Sequence, residues 1–239
     1  MVELVETTGP HDDGGFDRLN HLGPTTVAAV SGHPPLPTVT LTGDHVRLEP
    51  LGPQHVDGLV AAAADRTTYE WTNVPDGRAA MERYVAGLVA DHAAGTALPF
   101  AQCQADTGEV LGCTRMMELR WFAGRQLPDE VEVGGTWLAG NAQRMPVNTE
   151  AKLLMFSHAF DTLRVWRVTL ATDARNARSR AAIERAGATF EGILRNHRME
   201  IGDRVAPGAA PAPRDTAVFS ITRDDWPGVQ AGLRAKLAR

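Results

Sequence analysis

The chain has few cysteines and no long apolar run, which argues against a disulfide-rich, metal-binding or membrane-spanning protein. Its two cysteines, Cys103 and Cys113, are too few for a disulfide framework and lack the spacing of a metal site. Both are expected to be buried, inert thiols in a reducing compartment. No segment approaches the ~18 consecutive apolar residues of a membrane span, and the acidic first residues lack the apolar core of a secretory signal. We therefore expect a cytoplasmic protein with no metal and no membrane partner.

An excess of positive charge is also missing. The 24 lysine and arginine residues stand against 29 aspartate and glutamate residues, for a net charge of −5, which argues against a nucleic-acid partner. The distribution is uneven, because residues 1–37 hold five acids and one base whereas residues 164–198 hold eight arginines and three acids. A basic stretch in an acidic protein favours a small polyanionic ligand.

The 239 residues, 43% of them hydrophobic, suffice for one buried core. Residues 1–37 are rich in Gly, Pro, Asp and Thr without an apolar period, and are expected to form a disordered or loosely docked tail. The folded domain is predicted at residues 38–239.

Apolar periodicity and turn signals predict alternating strands and helices within that domain. Strands are predicted at 39–41, 46–48, 98–104, 109–117, 130–138, 165–172, 188–197 and 215–221. Helices are predicted at 53–64, 76–95 (with Asp76 as N-cap and Gly95 as stop), 147–163, 177–186 (ended by Gly187) and 226–237, and loops at 118–129 and 205–213. This order predicts one mixed α/β (α+β) domain.

The segment 132–150 (EVGGTWLAGNAQRMPVNTE) is the most informative. Gly134 and Gly135 inside a strand indicate a bulge or the close approach of a ligand. The strand then leads through a polar loop into a helix, whose first N–H groups, at residues 147–150, and dipole favour an anion. An ordinary strand–loop–helix turn is the alternative interpretation.

A second segment, 172–192 (TDARNARSRAAIERAGATFEG), places Asn176 as a helix N-cap and Ser179 three residues later on the first turn. Arginines 175, 178 and 180 surround this helix start. Capping and solvation alone also explain these residues.

Together these segments resemble the GNAT superfamily of N-acetyltransferases, in its RimJ/RimL-type branch. The likeness covers about residues 38–228 and is strongest over 130–198. The hallmark N-x-x-S followed by I-E-x-x-G-A/F-x-x-E-G is matched by Asn176, Ser179, Ile183, Glu184, Gly187, Ala188, Glu191 and Gly192. The Q/R-x-x-G-x-G/A loop departs from the pattern, since Pro146 replaces its glycine and Asn148 the following Gly/Ala. Proline removes one N–H from the loop.

The resemblance implies a central, mostly antiparallel, twisted sheet with a V-shaped splay and helices on both faces. It also implies acetyl-CoA, or another acyl-CoA, as cosubstrate. Its pantetheine arm would lie along Trp137 and Leu138, and Asn176 and Ser179 would face the pantetheine and sulfur. The pyrophosphate would bind at Arg144, Met145, Pro146, Val147, Asn148 and Thr149, with arginines 178 and 180 as further candidates.

Acyl transfer to an amine needs a base for the amine proton, an N–H donor for the oxyanion and a proton for the thiolate. Glu132 is the candidate base and Ser179 the candidate acid, with His197 and Glu118 as weaker alternatives for the base. The acceptor is expected to be a protein N-terminus or lysine, or a small molecule such as an aminoglycoside or a metabolite amine. A catalytically degenerate CoA-binding sensor is the alternative function, and either a monomer or a homodimer is compatible with the sequence.

Overall fold

The computed structural model of the chain describes residues 32–200 and 212–238. The strands are β1 Leu41–Thr42, β2 Val46–Pro50, β3 Ala97–Gln104, β4 Val110–Arg120, β5 Glu130–Leu138, β6 Arg167–Asp173, β7 Thr189–Met199 and β8 Pro213–Thr222. The α-helices are α1 Val56–Ala62, α2 Arg78–Ala93, α3 Pro146–Ser157, α4 Ala177–Arg185 and α5 Trp226–Leu237.

The eight strands form one sheet in the order β1-β2-β3-β4-β5-β6-β8-β7. Every neighbouring pair is antiparallel except β5 and β6, which run parallel. The mixed α/β domain with a mostly antiparallel sheet is therefore confirmed.

The parallel pair β5–β6 opens after three residue pairs, of which Glu132 and Thr169 are the last. Beyond this point β5 continues to Leu138 against β4, while β6 continues to Asp173 against β8. The predicted splay lies between these two diverging strands, and we call it the cleft.

Helices cover both faces of the sheet. The indole of Trp137 on β5 donates to the hydroxyl of Tyr84 on α2, whereas Thr136, the preceding residue, accepts from Lys152 on α3. Helices α1 and α2 pack together on β3 and β4, and α3 packs on α5, β1 and β2.

Several element boundaries differ from the predicted ones by a few residues, three of them at α2, β4 and α3. Helix α2 begins after Gly77 rather than at Asp76, because Gly77 takes a φ of 75° that favours glycine. Strand β4 extends to Arg120, into the predicted loop 118–129. The long predicted helix 147–163 closes with a π-helical turn, His158–Thr162. By contrast, Gly95 and Gly187 follow their helices with positive φ, as predicted.

Part of the predicted tail packs on the domain. Leu36 is only 4% exposed within the core, and its carbonyl lies 2.8 Å from Nε2 of His92. His33 stacks on Trp121, with ring centroids 4.1 Å apart. Contact with the domain thus begins before Thr38. Residues 1–31 and most of the predicted loop 205–213 lie outside the described residues.

Within the described ranges, no helix combines the length and apolar character that crossing a membrane demands.

Candidate active site

The wall of the cleft formed by β5 carries a bulge. Arg115 pairs with Gly134 and Cys113 with Trp137, so Gly135 and Thr136 together oppose a single residue of β4. Gly135 has a φ of 58°, and a Cβ atom there would lie 2.7 Å from the Arg115 guanidinium. The positive φ favours glycine at this position, whereas the flexible Arg115 side chain could move aside. The bulge follows the last β5–β6 pair, so its edge on that side faces the cleft.

A series of buried, hydrogen-bonded polar side chains supports the bulge on the side of the sheet that faces α3. Lys152 Nζ donates to Thr136 Oγ1 at 2.8 Å, and Thr136 Oγ1 lies 2.7 Å from Thr114 Oγ1. Thr114 Oγ1 in turn lies 3.5 Å from the carbonyl oxygen of Gly134. Lys152 is 7% exposed, and its burial lowers its pKa to about 8. Sequence reasoning missed it, because a lysine in a helix usually belongs to the solvated face.

Helix α3 starts at the open end of the cleft. Met145 is its N-cap and Pro146 its first residue, and no side chain caps the helix. The N–H groups of Val147 and Asn148 therefore lack an intrahelical acceptor. The sequence also predicts unpaired N–H groups at Thr149 and Glu150, but the helix geometry pairs them with the carbonyls of Met145 and Pro146, so Thr149 retains only its hydroxyl for a ligand. The side chains of residues 144–146 are exposed.

Helix α4 starts beside α3. Asn176 caps it through Oδ1, which accepts from the backbone N–H of Ser179 at 2.9 Å, as predicted. Arg178 donates to the side chain of Gln143, in the loop before α3. This hydrogen bond brings the two helix N-termini together at one end of the cleft.

The neighbouring arginines point elsewhere. Arg180 donates to the carbonyl of Ala174 and lies over the ring of Phe190, at 5.2 Å from its centroid. Arg175 is paired with Asp173 and Glu200. Of the three arginines near α4, Arg178 is thus the one that contacts the loop before α3.

A cavity of about 230 Å³ lies on the other side of the start of α3. Its lining includes Met145 and Val147, but also the carboxylates of Asp44, Asp106 and Glu109. These acids would repel a pyrophosphate, so the side next to Arg178 suits that group better.

Glu132 is 5% exposed and lies on β5 just before the splay. Its two carboxylate oxygens accept from the guanidinium of Arg198 on β7, at 3.1 and 2.7 Å. Burial opposes the charge on Arg198, but the hydrogen bonds and charge of Glu132 raise its pKa overall. Glu118 lies 3.9 Å from the same guanidinium. The structure thus brings Glu132 and Glu118 together on Arg198. His197, the third candidate base, is an exposed residue of β7.

The residues Trp137 and Leu138, at the end of β5, are both buried. The Trp137 side chain is buried and packs edge-on against Tyr69, with centroids 5.9 Å apart. The carbonyl of Leu138 accepts from the Tyr69 hydroxyl at 3.1 Å and from Gln143 at 3.0 Å. These bonds fix the end of β5.

One cluster in the described residues has metal-ligand side chains: Glu49, His55 and Cys103, whose candidate ligand atoms lie within 4.8 Å of one another. His55 Nδ1 accepts from the N–H of Gly52, so Nε2 carries the proton that faces Glu49. This hydrogen bonding satisfies His55 without a metal. Burial raises the pKa of Cys103 and Cys113 to about 11, in keeping with inert thiols.

Comparison with known proteins agrees with this geometry. A GCN5-related N-acetyltransferase from Brucella melitensis is 30% identical, with a TM-score of 0.70 over 84% of this chain and 86% of that one. Mycobacterium smegmatis RimJ in complex with CoA-disulfide shares the fold at 22% identity, with a TM-score of 0.64 over 85% and 97% of the two chains. The ribosomal-protein-S5-alanine acetyltransferase of Vibrio fischeri shares it at 16% identity, with a TM-score of 0.59 over 79% and 98%.

No significant match was found among curated proteins. A family model described as an acetyltransferase (GNAT) domain matches residues 45–189, which is more than half of the chain. With the splayed sheet, the bulge and the paired helix N-termini, this match shows that the chain belongs to the GNAT family of acetyltransferases.

Proposed function

We propose that the chain transfers an acetyl or other short acyl group from acyl-CoA to a primary amine, directly within a ternary complex. The observation that carries the proposal is the Arg178–Gln143 hydrogen bond, which joins the starts of α3 and α4 at the open end of the cleft. Two helix N-termini side by side attract a polyanion such as a pyrophosphate.

In this proposal the pyrophosphate binds the free N–H groups of Val147 and Asn148. Arg144, Met145, Pro146 and Thr149 flank it in sequence, and Arg178 adds positive charge. The pantetheine arm runs along the backbone of Trp137 and Leu138, and Asn176 and Ser179 face its sulfur. The fold shared with the CoA-bound RimJ structure supports this path.

The chemical step then needs no covalent enzyme intermediate. The neutral amine nitrogen attacks the thioester carbon, and the carbonyl electrons move to its oxygen, which a bulge N–H group stabilises. Collapse of this intermediate forms the amide and breaks the C–S bond. Glu132 takes the proton from the attacking amine, and Ser179 gives one to the departing thiolate. Arg198 holds the Glu132 carboxylate in place through hydrogen bonds to both of its oxygens.

A protein N-terminus or lysine is the first class of acceptor to test, since proteins of this fold include a ribosomal-protein-S5-alanine acetyltransferase. Small-molecule amines, including aminoglycosides, form the second class. A sensor that binds acyl-CoA without turnover is the rival function, favoured by the proline at position 146. A cytoplasmic location suits the proposed cosubstrate.

Mass spectrometry with isotopically labelled acetyl-CoA tests the proposal. The full chain is incubated with pools of peptides, each with a free N-terminus or a lysine, and with a separate pool of small amines. Release of CoA is followed in parallel. A labelled product with equimolar CoA release is expected. Tight acetyl-CoA binding with neither product nor CoA release would favour the sensor, and absence of binding would contradict both functions.

A further inference from the structure

Lys152 is a buried ammonium group that the proposed reaction does not use. It lies on the second turn of α3 and is 7% exposed. Its one hydrogen bond within the described ranges is to Thr136 Oγ1. The chain has only two lysines, Lys152 and Lys236, among 24 lysine and arginine residues. A buried cation is normally paired with a carboxylate, and among residues 32–200 and 212–238 Lys152 has no such partner.

Glu150, the nearest acid in sequence, does not neutralise this charge. Its carboxylate accepts three backbone N–H groups at the start of β2, those of Asp44, His45 and Val46, at 2.8, 2.6 and 2.8 Å. Both oxygens of this carboxylate are thereby hydrogen-bonded at the turn before β2. The positive charge of Lys152 is left facing the sheet.

Lys152 is connected to the bulge through two threonine hydroxyls. An ammonium group only donates, so the Thr136 oxygen accepts from Lys152, whereas either threonine can donate in the hydrogen bond between the two hydroxyls. Where Thr136 is that donor, the Thr114 proton points to the carbonyl of Gly134, at 3.5 Å, or to the sulfur of Met155, at 3.6 Å. This series of hydrogen bonds starts at the charged ammonium group of Lys152 and ends at the bulged strand that lines the cleft.

We propose that Lys152 is a positioning residue for acyl transfer, which fixes the β5 bulge from behind and places an uncompensated positive charge next to it. This inference rests on the proposed function. The acyl oxygen is neutral in the thioester and negative in the tetrahedral intermediate. A charge fixed in the low-dielectric interior therefore stabilises the intermediate more than the substrate. Lysine suits this position because its compact ammonium fits between a helix and a sheet.

The other charged groups on the elements around α3 are engaged elsewhere. Glu49 on β2 binds Arg47 and His55, Asp161 accepts from the indole of Trp226, and Lys236 on α5 donates to Arg185. Arg115 and Glu132 share the opposite face of the sheet with Trp137. The remaining titratable groups on these elements are Glu130, which accepts from Thr169 and lies 3.9 Å from Arg120, together with Glu118, Cys113, His158 and Arg234.

This arrangement predicts a pH dependence. Because burial holds the Lys152 pKa at about 8, below its ordinary value, the ammonium is charged below that pH and neutral above it. If the charge assists the reaction, kcat declines as pH rises through about 8. Selective ¹³C labelling of lysine would show this titration directly, because Lys152 and Lys236 give the only two lysine signals.

The test uses the full chain with Lys152→Met, Lys152→Arg and, as a matched control, Lys236→Met. Lys152→Met is expected to lower kcat about tenfold or more and to abolish the decline near pH 8, while the Kd for acetyl-CoA stays within about twofold. Lys152→Arg keeps the charge and is expected to retain more activity without that decline. Lys236→Met should match wild type. A purely structural lysine would leave the pH profile unchanged, and that result overturns the proposal.

A second measurement does not require turnover. Amide hydrogen exchange at Val133, Gly134, Trp137 and Leu138, which pair with β4 on either side of the bulge, is expected to be at least about tenfold faster in Lys152→Met and in Thr136→Val than in wild type, with the rest of β5 unchanged. If wild type shows no acyl transfer, the proposed function fails, and this exchange alone decides whether Lys152 fixes the bulge. Unchanged exchange in both variants would remove the positioning role as well.

Discussion

The ion pair between Glu132 and Arg198 bears on the proposed role of Glu132 as the base. A carboxylate bound by a guanidinium through both of its oxygens is held in one orientation. Its position just before the splay suits proton transfer from an acceptor amine. The pair also joins β5 to β7, so one contact combines a chemical and a structural role.

Replacing Glu132 by Gln is expected to lower kcat by about 100-fold, the usual effect of losing a general base, with little change in acetyl-CoA affinity. The rising limb of the pH–rate profile should flatten in this variant alone. Ser179→Ala should lower kcat by a smaller factor, because a thiolate is a tolerable leaving group even without a proton. Glu118→Gln is the matched control, as Glu118 lies near the same arginine but is exposed. Steady-state kinetics across pH test this. Wild-type rates in Glu132→Gln would move the base to another residue.

The cost of burying Lys152 can be measured apart from its role in the reaction. Its unfolded pKa is near the ordinary 10.5 and its folded pKa about 8, so the unfolded chain binds more protons between these values. Stability below pH 8 is therefore reduced, by up to about 3 kcal/mol, and recovers as pH rises to about 10.

Lys152→Met removes this penalty and keeps a similar volume. We expect it to be more stable than wild type at about pH 7, with the difference shrinking by about pH 9.5. Urea unfolding of both proteins at the two pH values measures the difference, in which the shared titration of other groups cancels. A variant equally less stable at both pH values would mean that the hydrogen bond to Thr136 outweighs the cost of the buried charge.

The two helix starts at the cleft are built differently. Helix α4 has a side-chain cap in Asn176, whereas α3 has none and begins with a proline. An uncapped start leaves its N–H groups to a ligand. Pro146 occupies the first helical position, where its fixed φ fits and where the N–H is unpaired in any helix. Its effect should therefore fall on ligand binding rather than on the helix.

Pro146→Ala restores one N–H donor beside the pyrophosphate site. We expect acetyl-CoA to bind more tightly by about 1 kcal/mol, the net value of one hydrogen bond, and Pro146→Gly to gain less because glycine adds backbone entropy. Calorimetric titration gives both affinities. Weaker binding in both variants, with unchanged unfolding temperatures, would show that the fixed φ of proline matters more than the missing donor.

The limits of the folded domain depend on Leu36. This residue is buried although it precedes the first strand and lies in a segment without an apolar period. The bond between its carbonyl and His92 attaches the segment to the end of α2. The N-terminal boundary of the domain is thus set by a contact with a residue 56 positions away.

Leu36→Ala is expected to lower the unfolding free energy by about 2–4 kcal/mol, as other large-to-small core substitutions do. Val89→Ala, at an exposed position of α2, serves as control and should change it by under about 1 kcal/mol. Urea denaturation measures both. Equal stability of the two variants would mean that residues before Thr38 add nothing to the core, and that the domain begins where the sequence suggests.

Local signals in the sequence determined most of the elements and the family. These signals act over a few residues, so each can be recognised in a short segment of sequence. They include the Asn176 cap, the glycines that end α2 and α4, and the double glycine of β5. Only the tertiary structure decided which distant residues meet: Arg198 with Glu132, Arg178 with Gln143, and Lys152 with Thr136. Those contacts depend on the strand order and on the splay of the sheet. The burial of an individual side chain, and hence the pKa of Lys152, follows from packing that no local pattern encodes.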